Sequence, residues 1–327
     1  MKRLVWLLAL CAVTGCKDTS VSQALRPAAG AEETGPRPPP TRVVGARRVL
    51  SFGDVHGDYD VTHALLLGLG VIDNDAHWAG GDLVVVQVGD QLDRGDGERA
   101  ILDLFERLAD EAQAAGGGFF ALLGNHEVMN ALLDFRYVTP GGWADFADIP
   151  HASDDALLAQ YPPDQRGRVA AFRPGGPYAK RLAQRNTVMV VDRTLFVHGG
   201  LEPAHLSGSG GLAGLNGEVQ RWLLGESGEV PAVVTASDGP FWSRLYAGAT
   251  TVEDAACATL TEVLRAVNAD RMVVGHTVQR NGISAACDSR VWRVDVGLAA
   301  YYGGVPHALE IDAEAIRVVE PDKADGD

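Results

Sequence analysis

A short apolar run that ends in glycine and then delivers polar side chains recurs along this chain, and it constrains the fold more than any other feature. The run L-V-V-V-Q-V at 83–88 leads into G-D-Q-L-D-R-G at 89–95. A valine-rich run bounded by glycine is typical of a buried strand, so Asp90, Asp93 and Arg94 are expected where that strand ends. Reacting groups collect at strand ends in α/β folds, so the sequence predicts an α/β fold with a site here.

The same pattern returns on both sides of this stretch. V-L-S-F at 49–52 runs into G-D-V-H-G-D, F-F-A-L-L at 119–123 runs into G-N-H-E, and two later apolar runs end in H-G-G at 198–200 and G-H-T at 275–277. A lone histidine after a strand is more often structural than a ligand, but five such strand ends in one chain favour a shared site. Oxygen and imidazole ligands without thiolate suit manganese, iron or zinc, and two such ions about 3.5–4 Å apart are the usual arrangement for cleaving phosphoesters.

In this order the motifs G-D-x-H-G, G-D-x-x-D-R-G, G-N-H-E, H-G-G and G-H-T resemble those of the metal-dependent phosphoprotein phosphatases of the calcineurin-like phosphoesterase superfamily. G-N-H-E-V-M-N at 124–130 is most similar to the Shewanella-like protein phosphatases. The resemblance covers about residues 49–295 and implies two mixed β-sheets packed face to face and flanked by helices. It also implies two divalent metal ions, manganese, iron or zinc. The residues that would hold them are Asp54, His56 and Asp90 for one ion, and Asp90, Asn125, His198 and His276 for the other. By the same resemblance Asp90 bridges the two ions.

The resemblance implies roles for four further residues. His126 matches the histidine that protonates the leaving oxygen, and Asp93 matches the aspartate that orients this histidine. Arg94 would hold the phosphoryl oxygens. The sequence W-S-R at 242–244 is similar to the W-x-R of the phage-type members, which makes Arg244 the second phosphate-binding candidate, although in isolation it reads equally well as a surface arginine in an ion pair.

Protein phosphatase activity is therefore the expectation, with a phosphoprotein or phosphopeptide as substrate and a monomeric enzyme. The chain lacks the carboxyl-terminal signature and the W-S-D-P loop of the eukaryotic serine/threonine enzymes, so the preference among phosphoserine, phosphothreonine and phosphotyrosine stays open. One alternative is a hydrolase of dinucleoside polyphosphates or other small phosphoesters, which share the metal motifs. Another is a catalytically silent lipoprotein that only binds a partner. Such proteins commonly lose ligand positions, and here every ligand position and His126 are present.

The amino terminus predicts export. A basic start precedes an apolar run at 4–13, which is too short to cross a bilayer and is typical of a secretory signal. The sequence V-T-G-C at 13–16 resembles a bacterial lipobox, so we expect a lipoprotein signal peptide at 1–15 and lipidation of Cys16. An ordinary signal peptide that is cleaved elsewhere is the alternative.

A proline-rich stretch follows the signal. Residues 16–42 contain five prolines and few large apolar side chains, which predicts an extended tether between the lipid and a catalytic domain at 43–320. Lys17 rather than aspartate follows the lipidated position, which under the enterobacterial sorting rule favours the outer membrane. We therefore expect an exported bacterial lipoprotein on the periplasmic side of that membrane.

Charge and cysteine usage limit the partners. The formal net charge of −15 disfavours nucleic acid and other phosphate-rich surfaces, so phosphate must be drawn locally, and membrane contact is expected only through the lipid anchor. Beyond the signal and Cys16 the chain has two cysteines, Cys257 and Cys287. Export and an even number favour a disulfide between them, with two free thiols as the alternative.

Between the motifs, the apolar pattern predicts helices and further strands. Three stripes at helical spacing predict helices near 61–69, 101–112 and 252–267. A hairpin is expected around Asp192. The segments expected to form closing strands of a second sheet are 291–295, 308–311 and 316–319.

One region departs from this alternation. Residues 132–185 carry aromatic residues, two Gly-Gly pairs, Pro140 and the pair Pro162-Pro163, which predicts a loop-rich insertion that forms a wall or lid and contributes to substrate choice. Five histidines match no motif and are expected to be structural or on the surface. They are His63, His77, His151, His205 and His307.

Overall fold

Strands and helices alternate along the chain in the computed structural model, which describes residues 39–248 and 251–322. The strands are β1 (Arg42–Val43), β2 (Arg48–Phe52), β3 (Val84–Gln87), β4 (Gly118–Ala121), β5 (Val188–Val191), β6 (Thr194–Val197), β7 (Arg271–Val274), β8 (Ser284–Ala286), β9 (Val291–Arg293), β10 (Ala308–Asp312) and β11 (Ile316–Val319). The helices are α1 (Tyr59–Gly68), α2 (Glu98–Ala115), α3 (Asn125–Ala131), α4 (Pro140–Ala144), α5 (Arg166–Phe172), α6 (Pro177–Leu182), α7 (Pro203–Ser209), α8 (Leu212–Leu223), α9 (Ala232–Thr235) and α10 (Asp254–Ala266).

The strands form two mixed sheets. One sheet has the order β1-β5-β6-β7-β9-β8, and the other has the order β11-β10-β2-β3-β4. In the second sheet β2, β3 and β4 are parallel, and the register pairs Phe52 with Gln87 and Gln87 with Ala121. The three motifs that follow these strands therefore begin at neighbouring strand ends.

The two sheets pack face to face through apolar side chains, which confirms the predicted fold. Val84 and Val86 of β3 belong to one core cluster with Met189, Phe196 and Val273 of the other sheet. Strands covered on both faces read as continuous apolar runs, which is why the motif-bearing strands are so rich in valine.

Helices cover the outer faces of both sheets. Leu65 of α1 and Phe105 of α2 pack in one cluster with Val85, and Leu260 of α10 packs in another with Met272. The apolar stripes predicted at 61–69, 101–112 and 252–267 supply these helices. Among the described helices, none combines the length and the hydropathy needed to cross a bilayer.

The closing strands are distributed differently from the sequence prediction. The tail was expected to form a single second sheet. Instead β9 pairs in parallel with β7, whereas β10 pairs antiparallel with β2 and with β11. The apolar pattern of a strand records that its faces are covered but not which strand lies beside it, so the pattern could not divide the tail between two sheets.

The last residues of the stretch predicted as a tether belong to the folded domain. Arg42 lies in β1, which pairs in parallel with β5, and Asn186 donates a hydrogen bond from Nδ2 to the carbonyl of Pro40 at 3.1 Å. Proline lacks an N–H but keeps its acceptor, so a proline-rich stretch can still dock on a folded surface. The signal peptide predicted at 1–15, Cys16 and the tether up to residue 38 lie outside the described residues.

The insertion at 132–185 combines loops with three short helices and packs against the rest of the domain. It contains α4, α5 and α6 with a 3₁₀ turn at Leu158–Gln160. Phe146, Phe172 and Leu182 are buried with Trp222 of α8 in one cluster. Glycine and proline in this stretch separate short helices, which is why its composition suggested loops.

Cys257 and Cys287 form a disulfide, with Cα atoms 5.3 Å apart and a sequence separation of 30 residues. Closing a loop of this length stabilises a fold by about 3–4 kcal/mol, mainly by restricting the unfolded chain. Replacing both cysteines by serine should therefore lower the free energy of unfolding in urea by about that amount. Wild-type protein unfolded with a reductant present should match the variant. Labelling of both cysteines by an alkylating reagent in unreduced, unfolded protein would contradict the bridge.

Candidate active site

The backbone at the strand ends adopts conformations that turn several polar side chains toward one point. His56, Asp90, Asp93, Arg94 and His276 all have positive φ values, between 43° and 72°. This left-handed region is uncommon for residues other than glycine. Such conformations persist where the surrounding structure fixes them, and they cluster at functional sites.

Two glycines let neighbouring motifs come together. Gly89 has φ 105°, and a Cβ atom there would lie 2.7 Å from Cα of Gly124. A Cβ atom on Gly124 would lie 2.2 Å from Oδ1 of Asp90. The glycines that end these strands therefore permit the close approach of the G-D-x-x-D-R-G and G-N-H-E motifs.

Asp90 is the centre of the cluster. Its Oδ2 lies 3.3 Å from Nε2 of His198, 3.8 Å from Nε2 of His56 and 3.9 Å from Nε2 of His126. Two groups of buried side chains could each hold a metal ion, and both include Asp90. They are His56, Asp90 and His126, and Asp90, His198 and His276.

The imidazoles present the right nitrogen for coordination. His56 Nδ1 lies 3.1 Å from the carbonyl of Leu92, and His198 Nδ1 lies 2.8 Å from the carbonyl of Val88. A carbonyl acceptor keeps the proton on Nδ1, which leaves Nε2 facing Asp90, as in histidines that bind metals. Burial lowers the pKa of His56 to about 3 and the pKa of His276 to about 2, so both rings are neutral and can offer a nitrogen lone pair to a metal ion.

Carboxylates concentrate negative charge at the same place. Asp54, Asp90 and Asp295 are all buried. Burial raises the pKa of Asp54, and the neighbouring Asp295 and Asp90 raise it further; burial also raises the pKa of Asp295, to about 6. Burial opposes ionisation of Asp90 too, but the histidines around it, His198 foremost, hold its pKa well below the usual range. Buried carboxylates of this density are stabilised by a cation, so the donor set fits divalent ions.

The remaining predicted ligands lie at the same cluster. Asp54 Oδ2 is 3.9 Å from Nε2 of His56, and its Oδ1 accepts a hydrogen bond from the backbone N–H of His276 at 3.3 Å. Asn125 Oδ1 is 2.9 Å from Nε2 of His198. The family resemblance and the tightest geometric group differ at one point, since the resemblance completes the first ion site with Asp54 and the geometry completes it with His126.

His126 is paired on its other nitrogen with Asp93. Its Nδ1 lies 2.6 Å from Oδ2 of Asp93, and both side chains are buried. Burial alone would lower the pKa of His126, but Asp90 and then Asp93 raise it above its usual value. Nδ1 is therefore occupied, and Nε2 is the nitrogen available to a substrate.

Glu127 is a site residue that the sequence reasoning missed. Its buried carboxylate accepts backbone N–H bonds from Asp90 at 2.8 Å, Gln91 at 2.8 Å, Leu92 at 3.1 Å and Gly124 at 2.7 Å. It thereby fixes the turn that carries Asp90. Helix α3 begins directly after Gly124, and a glutamate in its third position is a capping signal that could have pointed to this role.

The two predicted phosphate-binding arginines lie at the edge of the cluster. The guanidinium of Arg94 lies 4.9 Å from the ring centre of Tyr137, 5.4 Å from that of Tyr301 and 5.0 Å from that of Tyr302. Within the described part of the chain, its buried Nε has no hydrogen-bond acceptor. The tyrosines at 301 and 302 were not predicted, because they follow no motif.

Arg244 lies beside the last predicted ligand. Its Nη1 donates to the carbonyl of His276 at 3.1 Å and to Oγ1 of Thr277 at 2.7 Å. The side chain is exposed, and these contacts tie it to the strand end that carries His276. The site therefore has a guanidinium at each of two positions on its rim.

Known proteins resemble this chain along most of its length. Residues 47–280 match the calcineurin-like phosphoesterase family. The Shewanella-like protein phosphatase 2 of Arabidopsis thaliana is 36% identical over 315 residues, covering 85% of this chain and 79% of that protein. The Shewanella-like protein phosphatase 1 of Plasmodium berghei is 26% identical, covering 83% and 74%. The crystal structure of a cold-active protein-tyrosine phosphatase of a psychrophilic Shewanella species superposes with a TM-score of 0.70 at 25% identity, covering 93% and 87%.

Proposed function

Because the chain belongs to the calcineurin-like phosphoesterase family, we propose that this metallophosphoesterase is a protein phosphatase that hydrolyses phosphotyrosine in preference to phosphoserine and phosphothreonine. The observation that carries the proposal is that the His126–Asp93 pair lies beside Asp90, the residue that both groups of possible metal ligands share. Relatives named as protein phosphatases support the protein substrate.

The ligand assignment is part of this proposal. Asp54, His56 and Asp90 would hold one divalent ion, and the residues of the second ion site would be Asp90, Asn125, His198 and His276. When bound, the ions would supply Lewis acidity that stabilises charge on the phosphoryl oxygens and makes a water molecule nucleophilic near neutral pH. No covalent intermediate on the protein is required.

The chain's own residues would act on the leaving group and on the phosphate. His126 would donate the proton on Nε2 to the leaving oxygen, and Asp90 and Asp93 raise the pKa of this ring, which favours its protonated form. Asp93 would hold Nδ1 so that Nε2 faces the substrate. Arg94 and Arg244 would bind phosphoryl oxygens, since a guanidinium offers a planar fork of donors that matches phosphate.

The surroundings of Arg94 favour an aromatic substrate. Tyr137 and Tyr301 flank this arginine and are 42% and 66% exposed, respectively. Exposed rings beside a phosphate-binding group can stack on the ring of phosphotyrosine, at about 0.5–1.5 kcal/mol for each aromatic pair. The solved Shewanella structure, named a protein-tyrosine phosphatase, agrees with this preference.

Substrate class can be tested with the purified protein supplied with manganese, iron or zinc. We expect the highest kcat/KM on a phosphotyrosine peptide, a lower value on the same peptide with phosphoserine, and the lowest value on diadenosine tetraphosphate. Tyr301→Ala should reduce the ratio of kcat/KM on the phosphotyrosine peptide to kcat/KM on the phosphoserine peptide. Faster turnover of diadenosine tetraphosphate would favour a small-phosphoester hydrolase, and no turnover of any substrate with any metal would favour a silent binding protein.

We also propose that the enzyme is an exported lipoprotein, on the basis of the signal-like run and V-T-G-C at 13–16. Cys16→Ser should leave the protein unprocessed or release it from the membrane fraction, with phosphatase activity in detergent unchanged. Cys11→Ser is the matched control, because Cys11 lies in the segment that processing would remove. Density separation of inner and outer membranes would test the expected outer-membrane location. A soluble wild-type protein that begins after residue 16 would refute the anchor.

A further inference from the structure

Arg168, in the insertion, is fully buried and makes contacts that the metal and phosphate roles do not explain. It lies in α5, and its guanidinium is packed against the rings of Phe146 and Phe172, with ring centres 5.0 and 5.1 Å away. A buried arginine has a large desolvation cost, which is recovered only if its N–H groups and its charge are satisfied. The partners of Arg168 therefore show what this residue serves.

All five N–H donors of Arg168 have an acceptor. Nη1 donates to Glu98 and to the carbonyl of Gly142 at 2.7 Å, Nη2 donates to Glu98 at 3.1 Å and to Asp93 Oδ1 at 3.3 Å, and Nε donates to Asn130 at 2.9 Å. Glu98 also accepts the backbone N–H of Asp93. The guanidinium fork thus connects α2, α3 and the insertion at the carboxylate of Asp93.

The two oxygens of Asp93 are assigned to different partners. Oδ1 accepts from Arg168 and from Asn130 Nδ2, the latter at 3.1 Å, whereas Oδ2 faces Nδ1 of His126 at 2.6 Å. Holding Oδ1 prevents rotation of the carboxylate, so Oδ2 stays in the plane that His126 requires. Arg168 also supplies the positive charge that separates two buried carboxylates, Asp93 and Glu98.

We infer that Arg168 is a positioning residue for proton donation to the leaving group: it orients Asp93, and through Asp93 it orients His126. This inference rests on the proposed function, in which His126 is the general acid. It makes the insertion at 132–185 a part of the reaction machinery in addition to a wall of the site.

The test compares two substrates that differ in the basicity of the leaving oxygen. A misdirected proton donor affects a phosphotyrosine peptide more than nitrophenyl phosphate, whose leaving group needs less protonation. Arg168→Met should therefore lower kcat on the peptide by about 10- to 100-fold, the range typical of partners that orient an active-site group, and lower kcat on nitrophenyl phosphate by a smaller factor. Metal content should remain that of the wild type.

Arg181→Gln is the matched control. Arg181 also joins the insertion to α2, through Asp103 and Glu106, and does not contact Asp93. If Arg168 only held the insertion against the rest of the domain, each of the two variants would lower its activity on the peptide and on nitrophenyl phosphate by the same factor. We expect Arg181→Gln to leave the ratio of the two activities at the wild-type value.

A double variant separates this inference from the proposed function. In the His126→Asn background, Arg168→Met should not increase the difference between the kcat losses on the two substrates. The effects of residues that act through one another are not additive. If His126→Asn shows the difference and Arg168→Met does not, the inference is wrong and the proposed function stands. If His126→Asn itself shows no difference, the general-acid assignment fails and the inference fails with it.

Arg168→Lys covers the case in which Arg168→Met does not fold. Lysine keeps the buried positive charge but offers a point contact in place of the fork. A smaller difference of the same sign supports the positioning role. Equal losses on the two substrates overturn it.

Discussion

Asp90→Asn is expected to remove most of the bound metal and to lower kcat by about 10³-fold or more. A metal ion contributes several kcal/mol to stabilisation of a phosphoryl transition state, and each 1.36 kcal/mol corresponds to a factor of ten in rate. Asparagine is nearly isosteric with aspartate and tolerates the left-handed backbone that Asp90 adopts, with φ 59°. Its amide oxygen can still accept the N–H of His126 that Asp90 Oδ1 now accepts at 2.9 Å. The variant therefore removes the charge and little else.

The pattern of metal loss identifies the shared ligand. Elemental analysis after exhaustive dialysis should find both ions lost in Asp90→Asn, but one ion retained in Asp54→Asn and one in His276→Asn. Asp54 and His276 approach the cluster from different strand ends, so each tests one ion site. If Asp90→Asn keeps one ion as tightly as the wild type, Asp90 is not shared. Full activity of wild-type protein after chelation would refute the metal requirement altogether.

The sequence predicted those site residues that directly follow a strand. Once a run is recognised as a buried parallel strand, the position of the next few residues follows from the register. Asp54, Asp90 and Asn125 therefore lie just after the ends of three neighbouring strands, β2, β3 and β4. Periodicity and glycine, both of which are local, predicted where these residues lie, and the family resemblance supplied their expected roles as metal ligands. The supporting residues do not have this property.

Residues that reach the site from elsewhere could not be positioned in this way. Arg168 is 75 residues from Asp93 along the chain and lies in a region whose glycines and prolines suggested loops. Its only local signal is that it is one of the two arginines that flank the apolar run V-A-A-F at 169–172. Asp295 follows a strand, as the ligands do, but no motif marks it. Tyr302 lies in the loop between β9 and β10, whose assignment to different sheets was itself not predictable from periodicity.

His126→Asn is expected to show a loss of activity that grows with the basicity of the leaving oxygen. A general acid contributes most when the leaving group is poor, and the alkoxide of serine is far more basic than the phenolate of tyrosine, which in turn is more basic than nitrophenolate. We expect kcat to fall about 10²- to 10⁴-fold on a phosphoserine peptide, less on a phosphotyrosine peptide, and least on nitrophenyl phosphate. Asp93→Asn should give the same order with smaller losses, because Asp93 acts through His126.

Metal content decides between the two roles that the geometry allows for His126. This side chain can be grouped with His56 and Asp90 as a possible ligand set, yet its Nδ1 pairs with Asp93 and its Nε2 is 3.9 Å from Asp90. If it is the proton donor, His126→Asn keeps its metal. His56→Asn is the matched control, because the ring centre of His56 lies 4.7 Å from that of His126. This variant should lose metal, and its activity should fall by the same factor on all three substrates. Loss of metal from His126→Asn would make this histidine a ligand. Equal losses with the metal retained would make it a phosphate-binding residue, because binding the phosphoryl group does not depend on which oxygen leaves.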